Sequence, residues 1–90
     1  MSRQDAAFDI DPEREPVRTV TYWFVTGWFD GRPRVHAVGP YDDDDEYLAK
    51  AEARRMREEP NAVRVTVVRQ RHAQDDGRMI EQTIMDDWVA

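Results

Sequence analysis

The chain has 90 residues, a formal net charge of −6 and no cysteine. That length suits one domain with one thin hydrophobic core, and the missing thiols exclude disulfides and thiolate metal sites. The acidic balance argues against a nucleic-acid binder that works by neutralising phosphates, and no apolar run approaches the about 20 residues that span a bilayer. Met1 to Asp9 are too polar and too mixed in charge to read as a secretory signal, so a cytoplasmic protein is expected. The cations are arginines apart from Lys50.

Residues 1–16 read as an extended or disordered tail. They are rich in charge, hold Pro12 and Pro16, and offer only Phe8 and Ile10 as larger apolar residues. Such a segment buries too little to offset its ordering entropy, although Phe8-Asp9-Ile10 has the form of a short docking motif. The single domain is expected over 17–90.

Val17 to Phe29 is dense in β-branched and aromatic residues and predicts a strand. Val20, Tyr22, Phe24 and Trp28 fall on one face; Thr19, Thr21, Trp23, Val25 and Phe29 fall on the other. Neither face is cleanly polar, as in a central strand or one whose second face meets a partner. Asp30-Gly31-Arg32-Pro33 supplies a turn. Arg34 to Tyr41 returns as a second strand, with Gly39-Pro40 marking its end.

Asp42 to Glu59 predicts a helix. Asp42, Asp43, Asp44, Asp45 and Glu46 suit the positive end of its dipole, and one of them is expected to cap the free backbone amides. Leu48, Ala49, Ala53 and Met56 recur at helical spacing and predict the buried side. Arg54, Arg55 and Arg57 suit the last turns, and Pro60 with Asn61 closes the element.

Ala62 to Arg71 alternates, with Val63, Val65 and Val67 on the predicted buried face. Asp75-Asp76-Gly77 is a second turn signal. In Arg78 to Trp88, the residues Ile80, Ile84 and Trp88 share a face of a strand, and also fall at i, i+4 and i+8 of a helix. The preceding strand and turn favour a second hairpin. The expected fold is therefore α+β: a four-stranded antiparallel sheet built as β-hairpin, helix, β-hairpin, with the helix packed on one face.

Chemistry is sparse. The only serine is Ser2, and the threonines sit in predicted strands without an identifiable base. His36 and His72 belong to no metal-ligand spacing. The aspartate run departs from the calcium-loop pattern, with Tyr47 at the sixth position and Ala53 at the twelfth. No catalytic residue, cofactor site or metal site is expected, and the chain reads as a non-catalytic protein-protein interaction or regulatory module.

Two surfaces could carry such a role. The acidic patch Asp42, Asp43, Asp44, Asp45 and Glu46 exceeds what one helix dipole requires and admits a basic protein partner. In that form the chain would be an inhibitor that mimics DNA or RNA. The second surface is the sheet face left uncovered by a single helix, with Trp23 and Phe29 as its expected aromatics and Arg18, Arg34 and Arg64 beside them. It would serve a protein partner or a homodimer. Arginine with aromatics on a sheet also describes single-stranded nucleic-acid platforms, a partner class that the net charge opposes.

Overall fold

The computed structural model describes residues 18–90; the tail expected over 1–16, with its Phe8-Asp9-Ile10 motif, lies outside the described residues. Four strands form one antiparallel sheet: β1 Thr19–Phe29, β2 His36–Asp42, β3 Ala62–Ala73 and β4 Met79–Val89. Their order is β2-β1-β3-β4. A 3-10 turn, Asp43–Asp45, leads from β2 into the helix α1, Glu46–Arg57. The fold is the α+β arrangement of hairpin, helix and hairpin that the residue pattern predicts.

The two strands richest in β-branched and aromatic residues occupy the centre. β1 and β3 pair along their length, with Val25 opposite Val67 and Phe24 opposite Val68. Flanking strands on either side bury their backbones and shield the side chains between them, which fits the apolar residues on both faces of β1. Val65 and Val67 are buried under α1, while Thr66 and Val68, on the opposite face, are only 5% and 9% exposed. Val63, expected among the buried valines, is exposed near the strand end.

The helix packs over β1 and β3, reaches β2, and makes only slight contact with β4. Ala49, Ala53 and Met56 form its buried stripe against Trp23, Val25, Phe29, Val65 and Val67. Gly27 allows this approach: a Cβ there would stand 2.8 Å from Phe29 Cε2 and 3.0 Å from Met56 Sδ. Val38 and Tyr41 of β2 and Trp88 of β4 flank the core. The two loops at one end of the sheet clasp each other, as the Asp30 amide donates to the Asn61 carbonyl (2.8 Å) and Asn61 Nδ2 donates to the Asp30 carbonyl (3.2 Å).

Several local expectations are corrected. The α-helix spans Glu46–Arg57 rather than 42–59, because the aspartates fold as the 3-10 turn. Asp42 and Asp45 stand at the N-caps of the turn and the helix, and neither makes a side-chain capping bond. Leu48 is 41% exposed; it sits about 100° around the axis from Ala49 and leaves the buried stripe. β2 runs through Gly39-Pro40, joined by a cis peptide bond, as far as Asp42. Proline is tolerated there because β2 is an edge strand.

Residues 79–89 form a strand, yet Ile84 and Trp88 do not share a face. Val67 pairs with Asp86 and Val68 with Ile84, so Met85 is an extra residue in β4. This β-bulge resets the alternation. Ile84 faces away from α1, Met85 and Asp86 both line the helix side, and Trp88 packs against the core.

Candidate functional site

The acidic run splits into structural and solvent-facing residues. Asp43 Oδ1 accepts a hydrogen bond from the buried Trp23 indole (2.8 Å) and another from Arg69 Nε (3.4 Å). The Trp23 bond, and after it Arg69, holds the Asp43 carboxyl below the usual carboxylate range. Glu46 pairs with Lys50 one turn along the helix. Asp42, Asp44 and Asp45 form no ion pair among the described residues.

The remaining acidic clusters are largely matched by arginine. Asp86 meets Arg57 across the sheet and helix (3.5 Å). Asp87 takes a bidentate pair of 2.8 Å bonds from Arg64 and a 3.1 Å bond from the Thr66 hydroxyl. The Arg64 contact lowers the Asp87 pKa and raises that of Arg64. Asp76 is held low by the Arg78 backbone amide and then by its guanidinium. Residues 1–17 carry five acids against two arginines, so half of the chain's charge of −6 lies there.

The sheet-face residues are sorted differently from expectation. Trp23 and Phe29 are 2% and 5% exposed and lie under α1. They share the Val25 face of β1, which the helix covers, so they cannot line the uncovered face. Arg34 stands in the loop between β1 and β2, and Arg18 precedes β1. Arg64 alone of the three arginines lies on the uncovered face, its guanidinium 5.2 Å from the Trp28 ring centroid.

The uncovered face belongs to the other alternation of β1. Tyr22, Phe24 and Trp28 stand on it, half-buried, with Ala37, Val68 and Ile84. Thr26, Thr66, Gln70 and Gln82 lie between them around a shallow trough of about 390 Å³. Gln70 and Gln82 bond across β3 and β4 (2.8 Å). Arg64 and Asp87 neutralise each other there, and Asp42 stands at a corner opposite Tyr22. Sequence alternation places the correct residues together; the choice of which set the helix covers depends on the side of the sheet to which the crossover turns.

Neither histidine makes a side-chain hydrogen bond or ion pair with a carboxylate among the described residues. His72 sits against Tyr22, with its ring nitrogens 3.1 Å from the Gly77 carbonyl and 2.9 Å from Gln70 Oε1. His36 meets the Phe29 ring edge. Among the described residues no three His, Asp or Glu side chains converge on a metal-sized site, and no helix is long and apolar enough to cross a membrane. Comparison with protein-family models, with curated proteins and with solved structures finds no significant match.

Proposed function

We propose that the chain is a non-catalytic cytoplasmic interaction module that pairs with a second copy of itself through the uncovered sheet face. The observation that carries the reading is the cluster of Tyr22, Phe24, Trp28, Val68 and Ile84 on the side of the sheet opposite α1. Aromatic and aliphatic side chains gathered on a sheet face that no other element covers, here interleaved with Thr26, Gln70 and Gln82, suit an interaction surface.

The dimensions suit a copy. Four strands about 4.8 Å apart and about nine residues long present a face of roughly 19 by 30 Å. Two such faces stacked would bury about 1,100 Å², near the lower end of specific interfaces. The face is also self-compatible in charge, since Arg64 and Asp87 are paired within each chain. Two antiparallel sheets packed in this way make a β-sandwich.

The test is sedimentation or light scattering over a concentration series. A dimer is expected, and Ile84→Lys should give a folded monomer, because Ile84 is 57% exposed. A wild-type chain that stays monomeric at 100 μM, which means association weaker than about 5.5 kcal/mol, would overturn the reading. Raising salt should leave the dimer intact or tighten it, as it screens repulsion between two acidic chains. An acidic mimic would instead lose its basic partner as salt rises. Converting Asp42, Asp44 and Asp45 to asparagine tests that alternative while leaving the Asp43–Trp23 bond in place.

A further inference from the structure

One helix cannot cover a four-stranded sheet. The sheet is about 19 Å wide and a helix with side chains is about 10–12 Å across. On the β2 side of α1 the difference is filled by Val38 and Tyr41. On the β4 side it leaves a groove of about 300 Å³, lined by Lys50, Ala53, Arg54, Arg57, Val67, Met85 and Asp86. Ala53, Val67 and Met85 make an apolar floor and wall, and the three cations form a rail along α1.

The groove is bounded rather than continuous. The Arg57–Asp86 pair spans it from helix to strand, and it exists because the bulge at Met85 turns both Met85 and Asp86 toward α1. Bulges re-aim side chains in this way beside binding sites. A closed end and this volume suit a small molecule at the low end of ligand-site sizes. Lys50 is paired with Glu46 and Arg57 with Asp86, whereas Arg54 has no carboxylate partner among the described residues. One uncompensated guanidinium matches one monoanionic head group, and its planar fork matches a carboxylate.

We propose that the groove between α1 and β4 binds a small amphipathic carboxylate. Its head is held by Arg54, and its apolar body lies on Ala53, Val67 and Met85. This site is on the opposite side of the sheet from the dimer face, so each stands or falls without the other.

The experiment is an amide NMR titration of the full chain with hexanoate, hexanol and hexylammonium. Hexanoate should bind saturably with a Kd of about 1 mM, which eight heavy atoms support at ordinary ligand efficiency, and should shift the amides of Ala53, Val67 and Met85. Hexanol should bind at least about tenfold more weakly, and hexylammonium should not saturate. Arg54→Ala replaces an exposed helical residue by a better helix former and should keep the fold while weakening hexanoate about tenfold or more. Equal binding of hexanol, an unchanged Arg54→Ala, shifts confined to the opposite sheet face, or no saturation by 10 mM would each overturn the proposal.

Discussion

Replacing Gly27 by alanine tests how closely α1 lies on the sheet. The added Cβ would be 2.8 Å from Phe29 Cε2 and 3.0 Å from Met56 Sδ, inside the about 3.5–4.0 Å of relaxed contacts. Phe29 and Met56 are both buried, so neither has open space into which to retreat. Overpacking of this kind costs about 1–3 kcal/mol. Alanine recovers about 0.4–1 kcal/mol by restricting the unfolded chain, since Gly27 lies in ordinary strand backbone. The net expectation is a loss of about 1–2 kcal/mol, or roughly 5–15 °C in Tm for a domain of this size. Urea and thermal melts by circular dichroism, at fixed protein concentration because the proposed association would add stability, provide the measurement. Met56→Ala alone should cost about 2–5 kcal/mol, and the double variant should cost less than the sum by about 0.5 kcal/mol or more, because the new methyl then enters the vacated space. A neutral or stabilising Gly27→Ala, or strictly additive single effects, would refute this packing.

The lowered pKa values of Asp43, Asp76 and Asp87 make stability complete above the ordinary carboxylate range, near about pH 4, and draw it down as pH falls through their lowered folded values. Acid titration followed by tryptophan emission should show this slope, and Asp43→Asn should reduce it while destabilising the fold at neutral pH. Leu48→Gln, at an exposed helical position, should change stability by no more than about 0.5 kcal/mol. Ala53→Leu, beneath the same helix, should cost about 1–3 kcal/mol; denaturant midpoints distinguish the two. Trp28→Ser should weaken self-association in sedimentation while preserving the circular dichroism spectrum, because Trp28 lies on the face away from α1.

The element order was legible because the hydrophobic periods change cleanly along the chain. β1 and β3 alternate, and Ala49, Ala53 and Met56 keep helical spacing. The two faces of β1 were separable as well, but their fates were not. Trp23 and Phe29 look no different from Phe24 and Trp28 in composition, and only the placement of α1 decides that the first pair is core. The bulge at Met85 was hidden for a related reason: Asp86-Asp87 carries no glycine or proline to mark it. Its register is set by pairing with β3, and long-range pairing leaves no local signature. The structural use of Asp43 was hidden too, since its partners Trp23 and Arg69 lie 20 and 26 residues away.

The interruptions in β4 have a consequence for how copies of this chain meet in a crowded solution. Five of the nine large exposed apolar side chains among the described residues lie on that edge strand: Met79, Ile80, Ile84, Met85 and Val89. A straight edge of this composition would template strand after strand from other molecules. The register slips at Met85 and again beside Ile80, leaving only a short stretch with regular spacing between them. Sheet extension through β4 would lose its ladder within a few residues, and so would not propagate into a fibre. The proposed pairing of stacked sheets, by contrast, would be closed and would stop at two.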